Sequence, residues 1–266
     1  MNKNPTISVV CPTYNSEEFI IETLSTVLNQ TVHPFELIVS DDGSIDNTVS
    51  KVETFFKLCK DFHTRLIKNN HKGPGATRNA GILEAKGDWI AFIDSDDLWA
   101  FDKIKNVIEA INKDKNYNFI FHNEDHLKLG GLKVPYHDFA QFFRSDQTLS
   151  FQVWKYCIFH TSTITCQKDL LLKSGLFDET LMSAQDWELW IKMSPEIKYF
   201  HIPKVLGTYV ERSNNITNTK SFKGLLDRLR VMSMYRKLCG ASIWDYIYMA
   251  TRRTIGFILR EIKIIK

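Results

Sequence analysis

Four apolar runs in the first hundred residues, each followed by a polar turn and an amphipathic segment, constrain this chain more than any other feature. The first run, Ile7-Ser8-Val9-Val10-Cys11, is broken by Pro12-Thr13-Tyr14-Asn15. Ser16-Glu17-Glu18 then supplies a capping hydroxyl and early acids for a helix with Ile20, Leu24, Val27 and Leu28 on one face. A second run, Phe35 to Val39, stops at Ser40-Asp41-Asp42-Gly43-Ser44, and a helix from about Asp46 carries Val49, Val52 and Phe56. A third, Thr64-Arg65-Leu66-Ile67, leads into the glycine-containing stretch Gly73 to Gly81, and the fourth ends at Asp94. Continuous apolar runs are the mark of strands buried on both faces, and their alternation with helices predicts a parallel α/β sheet with helices on both sides.

In such sheets, ligands sit beyond the carboxyl ends of the strands. Here that edge collects Tyr14, Asp41, Asp42, Arg78, Asp94 and Asp96. The run Asp94-Ser95-Asp96-Asp97 places three carboxylates within four residues. Like charges crowded this way need a positive partner, and a divalent cation carrying a diphosphate supplies one through hard oxygen ligands. Tyr14 can stack on a base, Asp42 can accept from a base imino group, and Arg78 can fork onto a diphosphate. Each residue also has a structural reading: Tyr14 as packing, Asp41 and Asp42 as turn caps, Arg78 in an ion pair, and Asp97 or Asp102 as a helix cap. The Gly73–Gly81 stretch lacks Gly-x-Gly-x-x-Gly spacing, and no Walker motif occurs, which disfavours redox and ATPase chemistry.

Four motifs then stand in order: Pro12-Thr13-Tyr14-Asn15, Asp41-Asp42-Gly43-Ser44-x-Asp46-Asn47-Thr48, Gly75-x-x-x-Asn79-x-Gly81 and Asp94-Ser95-Asp96-Asp97. Gly175-Leu176-Phe177-Asp178-Glu179 and Gln185-Asp186-Trp187-Glu188-Leu189-Trp190 follow further on. Together they resemble family 2 glycosyltransferases with a GT-A-type fold, similar to bacterial transferases that build surface polysaccharides such as O-antigen, capsule and lipooligosaccharide. The resemblance implies a nucleotide-sugar donor site at Pro12, Tyr14, Asn15, Asp41, Asp42, Arg78, Asp94 and Ser95. It implies Mn²⁺ or Mg²⁺ on Asp96, with Asp94 as a second candidate ligand. It also implies Asp186 as catalytic base, with Trp187, Glu188 and Trp190 on the acceptor side and Glu188 next in line as base. The Gln-x-x-Arg-Trp motif of processive synthases is absent, which points to transfer of one sugar. The resemblance implies a donor of the uridine diphosphate class and a single in-line displacement that inverts the anomeric centre, in keeping with the lack of a Ser-His-Asp or Cys-His arrangement. The runner-up readings are a sugar-phosphate nucleotidyltransferase and a non-catalytic membrane-docked scaffold. The first lacks a phosphate-cradling loop with Lys or Arg after the first strand, and the second predicts loss of the acids that this chain retains.

The chain divides, on this reading, into residues 1–220 as a catalytic unit (1–110 for the nucleotide sugar, 111–220 for the acceptor) and 221–266 as a basic amphipathic helical extension. Residues 220–266 hold 11 Lys or Arg against 3 acids, a balance of +8 that leaves −5 elsewhere. A helix from about Ser242 to Ile265 carries Ile243, Ile247, Ala250, Thr254, Phe257, Ile258 and Ile265 on a broad face. Arg252, Arg253, Arg260 and Lys263 lie opposite, with Trp244, Tyr246 and Tyr248 suited to a lipid interface. No nucleic-acid motif accompanies the charge, so the implied partners are the donor, a lipid-linked or oligosaccharide acceptor and a membrane surface. No run reaches the ~18 apolar residues of a spanning helix. An odd five cysteines without paired spacing and an N-terminus that turns straight into a strand predict a cytoplasmic protein, peripheral on the inner face of the membrane. The eight histidines show no zinc-site spacing, and Lys128–Lys133 reads as a hairpin turn.

Overall fold

The apolar runs form strands because β-branched and aromatic side chains fill both faces of one sheet. A computed structural model of the chain describes residues 4–181, 183–212 and 222–261. The strands are β1 (Ile7–Thr13), β2 (Glu36–Asp41), β3 (Thr64–Lys68), β4 (Trp89–Phe92), β5 (Leu98–Trp99), β6 (Phe119–Leu127), β7 (Lys133–His137), β8 (Thr165–Gln167) and β9 (Tyr199–Val210). The helices are α1 (Ile20–Leu28), α2 (Thr48–Leu58), α3 (Pro74–Glu84), α4 (Lys103–Lys113), α5 (Leu149–Lys155), α6 (Lys168–Lys173), α7 (Gln185–Met193), α8 (Phe222–Tyr235) and α9 (Ile243–Glu261).

The sheet runs β3-β2-β1-β4-β8-β6-β9-β5, with β7 paired to β6. The first four strands are parallel, as the strand–turn–helix rhythm requires. β8 then joins antiparallel to both β4 and β6, and β6 and β9 pair in parallel along their length. Neighbouring residues of β1 feed opposite cores: Val10 packs with Ile38, Phe92, Phe119 and Trp190, whereas Val9 packs with Leu37, Val39, Ala91 and Ile104. Alternation across the pleat therefore buries both faces under helices. The hairpin turn forms where predicted, between Leu127 and Lys133, with Gly130 and Gly131 at φ of 94° and 85°.

Several local expectations are corrected. β1 does not stop at Cys11 but continues through Pro12, which pairs with Ser40. Proline is tolerated there because β4, on the other side, has already ended opposite Val10. α1 starts at Ile20, not at Ser16. The Ser16 hydroxyl meets Ser95, and its carbonyl accepts from Phe19 and Ile20. α2 starts at Thr48 because the Asp46 carboxylate accepts from Thr48 N at 2.9 Å. β4 ends at Phe92, two residues before Asp94, and the two-residue β5 is a strand only through its pairing with β9.

α9 opens with a reciprocal cap, Asp245 N to the Ser242 hydroxyl and Ser242 N to the Asp245 carboxylate. The helix is two-faced in a way the sequence reading did not resolve. Tyr246, Met249, Ala250, Arg253 and Phe257 turn towards the body of the protein, while Trp244, Ile247, Tyr248, Arg252, Ile255 and Ile258 face solvent. Arg253 thus leaves the expected basic stripe, and the expected broad apolar face is divided: Ile243, Ile247 and Ile258 are exposed, whereas Ala250 and Phe257 are half-buried. Lys263, Ile265 and the boundary at residue 220 lie outside the described residues. Among the described residues, no helix is long and apolar enough to cross a membrane.

Candidate active site

The carboxyl edge of β1 and β2 is built from interlocking turns. Asp41 is buried, and its carboxylate accepts from Gly43 N at 3.0 Å, Ser44 N at 2.9 Å and the Ser44 hydroxyl at 2.5 Å. Asp42, also buried, accepts from Lys72 N and Gly73 N at 2.9 and 3.0 Å, with His71 Nδ1 3.0 Å away. Both residues therefore make the turn-capping contacts, and Asp42 fixes the entry to α3. Asn15 sits in the left-handed region at φ 47°, and its side chain accepts from Ile45 N. Tyr14, half exposed beside it, stacks on His71 with ring centroids 4.4 Å apart. His71 thus links the Tyr14 ring to the Asp42 carboxylate.

Arg78 and Asp94 meet across the cleft, with Nη2 to Oδ1 at 2.5 Å. Arg78 is almost fully buried, its guanidinium lies 5.6 Å from the Phe177 ring, and its Nε has no hydrogen-bond partner among the described residues. Burial works against its charge, yet Asp94 and then Asp186 outweigh that and raise its pKa. The influence of Asp186 is informative, because it places the predicted base within electrostatic reach of the predicted donor residues. α7 and α3 also abut: a Cβ on Gly75 would lie 3.6 Å from the side chains of Gln185 and Phe177.

The acidic turn rests on a buried charged layer. Asp97 accepts from the Ser162 hydroxyl at 2.5 Å, and the same hydroxyl accepts from Asp94 N. Lys103, fully buried, donates to Ser162 O at 2.7 Å and lies 3.6 Å from the Trp99 ring centroid. Glu124, buried too, pairs with His160. Burial pushes Asp97 well up and Lys103 well down. Asp97 is thus a structural member of the turn and not a helix cap. Asp102 holds the cap position of α4 and accepts from Asn106.

Asp96 stays at the surface of this layer. Burial and then Asp94 push its carboxyl up to about 6, while Arg212 draws it down. Ser95 bonds to the Ser16 hydroxyl at 2.9 Å and so ties the turn to the segment after β1. Among the described residues, no three His, Cys, Asp or Glu side chains converge as a self-sufficient cation site. Asp94 and Asp96, whose repulsion Arg78 and Arg212 relieve only in part, nevertheless fit Mg²⁺ or Mn²⁺, which take one or two carboxylates and complete their shells with phosphate and water.

α7 carries Asp186 in its first turn, where the helix dipole favours a carboxylate. Asp186 is the one residue of Gln185–Glu188 that is not buried. Trp187, Glu188 and Trp190, expected on the acceptor side, point inward at 2%, 2% and 0% exposure. Trp187 donates to Val153 O, and Trp190 packs against Phe92 and Phe119. All three are core residues of α7, and Glu188, buried and bonded to Tyr235, is not placed to take a proton from a ligand.

Sequence reasoning missed Arg212, Lys103, Ser162 and Asn79. Arg212 comes from the end of β9, with its guanidinium 4.2 Å from the Phe19 ring centroid and 3.5 Å from Asp96 O. Asn79 clasps Phe177 through both its backbone N–H and its carbonyl. No local signal marks Arg212 or Ser162, whereas the Asn79 motif was visible without its purpose.

Residues 8–169 match the family model described as Glycosyl transferase family 2. A glycosyltransferase of Rickettsia felis is 32% identical over 213 residues, which is 80% of this chain but only 34% of that protein. The chain therefore spans about a third of the length of the first relatives it matches. The UDP-Glc:alpha-D-GlcNAc-diphosphoundecaprenol beta-1,3-glucosyltransferase WfgD of Escherichia coli is 30% identical over 189 residues, covering 70% of this chain and 69% of its own. WfaP of the same species and description is 27% identical over 233 residues, 85% of each. Among solved structures, Staphylococcus aureus TarS in complex with UDP-GlcNAc superposes with a TM-score of 0.72 at 21% identity, covering 94% of this chain and 71% of that one. A mannosyltransferase from Pyrobaculum calidifontis in complex with GDP-Man and Mn²⁺ gives 0.70 at 18% identity, covering 96% and 74%. These likenesses establish the GT-A-type fold that the motifs implied. With the family model spanning more than half of its residues, the chain belongs to glycosyl transferase family 2.

Proposed function

We propose that this glycosyltransferase moves one sugar from a uridine diphosphate donor, with inversion, to a hydroxyl of a glycan carried on a lipid diphosphate. What supports this reading best is the Arg78–Asp94 ion pair at the carboxyl edge of the parallel strands, with Asp96 close to Asp94 and Asp186 near enough to favour the Arg78 charge. The activities by which WfgD and WfaP are named, with a UDP-glucose donor and a diphosphoundecaprenol-linked acceptor, support the choice of substrates. Residues 1–220 would be the transferase unit and 221–266 its membrane-facing extension at the cytoplasmic side.

The Tyr14 face receives the base, and a remaining lone pair of Asp42 accepts its imino proton, since a carboxylate has about four acceptor sites. Arg78, held by Asp94, turns a buried positive charge towards the donor. Asp96, assisted by Asp94, would hold Mn²⁺ or Mg²⁺, which supplies charge stabilisation for the departing diphosphate. Asp186 takes the proton of the acceptor hydroxyl as that oxygen attacks the anomeric carbon and the bond from this carbon to the diphosphate breaks. Displacement from the opposite face inverts the anomeric centre without a protein nucleophile.

The test is incubation of the chain with UDP-glucose, Mn²⁺ and a synthetic N-acetylglucosaminyl-diphosphate lipid. Mass spectrometry should show one added hexose, and NMR an inverted anomeric configuration. Repeated addition, retention, or transfer from GDP-mannose and not from any UDP-sugar would overturn the assignment.

A further inference from the structure

We propose that α8 and α9 are a positioning element for the turn that carries the base, with Tyr235 and Arg253 as its positioning residues. This rests on Asp186 as the base. Ala184 precedes α7 in the left-handed region at φ 60°, a conformation unfavourable for a residue with a Cβ, and makes no capping bond; within the first turn the Asp186 carboxylate accepts from Trp187 N at 2.7 Å, which ties its position to that of Trp187. A strained residue persists only where its surroundings over-determine it.

The surroundings come from the C-terminal helices. The Tyr235 hydroxyl of α8 donates to the Glu188 carboxylate, which is buried and otherwise faces Lys192 Nζ at 3.3 Å. Burial and then Glu188 push the Tyr235 phenol up, so it remains a donor at neutral pH. The Arg253 guanidinium of α9 lies 4.5 Å from the centroid of Trp187, and the indole N–H of that Trp is fixed on Val153 O at 2.6 Å. The Arg253 Nη2 reaches towards Lys155 O at 3.5 Å, and burial lowers its pKa to about 10, still charged at neutral pH. Behind these contacts, Val231, Met232 and Met249 enter the same core as Trp187 and Trp190. Asp186 immediately precedes the two anchored residues, Trp187 and Glu188, in the first turn of α7, so a shift of either anchor moves its carboxylate. Displacements of about 1 Å at a reacting group cost up to about 10²-fold in rate.

The experiment uses the full chain carrying Tyr235→Phe, Arg253→Met or Arg253→Lys, each alone and combined with Asp186→Asn. Tyr235→Phe and Arg253→Met should each lower kcat by about tenfold with donor KM and UDP-induced thermal shift unchanged, and Arg253→Lys should recover part of the loss. In the Asp186→Asn background the same substitutions should cost nothing more, because they act through the carboxylate already removed. Unchanged kcat in folded single variants, or losses that add to that of Asp186→Asn, overturn the positioning role. Near-normal turnover by Asp186→Asn alone instead overturns the base assignment, so the two failures are distinguishable.

Discussion

Asp96 carries the sharpest consequence at the scale of single residues. Its pKa in the fold, about 6, lies above the usual 3.8, chiefly through burial and then through Asp94. Between those values the folded metal-free chain holds more protons than the unfolded one, so this residue destabilises the fold progressively as pH rises through that window. A bound divalent cation reverses the effect, since it needs the deprotonated carboxylate. The rise in thermal midpoint given by Mn²⁺ with UDP should therefore be larger at about pH 7.5 than at about pH 5.5. Asp96→Asn should abolish that rise while stabilising the metal-free protein, because it removes one of two repelling charges. A metal-dependent shift that survives in Asp96→Asn would move the ligand elsewhere. The sequence showed these acids but not their division of labour. The Asp41 carboxylate is spent on its own turn through Ser44, and that of Asp97 on Ser162 and Val210, which only the tertiary structure brings to it.

At the scale of elements, α3 lies against β1 so closely that glycine is required between them. A Cβ on Gly81 would come within 2.6 Å of Val10 Cγ1, a short, fully buried branch that cannot swing away. Gly87, in the turn before β4, faces backbone instead: Ser8 N at 2.7 Å and Thr6 O at 2.9 Å. Gly81→Ala should lose about 1–3 kcal/mol from overpacking, offset by up to about 1 kcal/mol of helix propensity. Gly87→Ala should lose more. Urea unfolding of both variants checks the order, and equal midpoints would show that the sheet yields more readily than its packing indicates. The Gly75-x-x-x-Asn79-x-Gly81 spacing was legible as a motif, and the structure supplies its reasons. Gly75 admits α7, Asn79 clasps Phe177, and Gly81 admits β1.

Across the whole molecule, the C-terminal helices leave two apolar stripes in solvent: Phe222, Leu226 and Met234 on α8, continued by Leu238 just after it, and Trp244, Ile247, Tyr248, Ile255 and Ile258 on α9. In a region of charge +8, this combination suits an anionic lipid surface. Each nearby Lys or Arg contributes about 1 kcal/mol at such a surface, weakening with salt. The full chain should sediment with phosphatidylglycerol vesicles at low salt. Trp244→Ser combined with Tyr248→Ser and Ile255→Ser should release it while leaving transfer to a soluble acceptor intact, because those side chains touch no part of the cleft. Indifference of the unaltered chain to such vesicles would reduce the stripes to ordinary surface. By itself the sequence determined the parallel half of the sheet, the order of the motifs along its edge and the family, because runs of apolar residues and turn chemistry act over a few residues. It could not determine the antiparallel insertion of β8, the arrival of Arg212 and Ser162 at the acidic turn, or which face of α9 turns inward. Those depend on contacts between segments some 60 to 120 residues apart, such as Ser162 with Asp97 and Arg212 with Asp96. An amphipathic helix with two apolar stripes has no local preference between them. Trp187, Met249 and the buried charge of Arg253 make the choice, and they meet only in the tertiary structure.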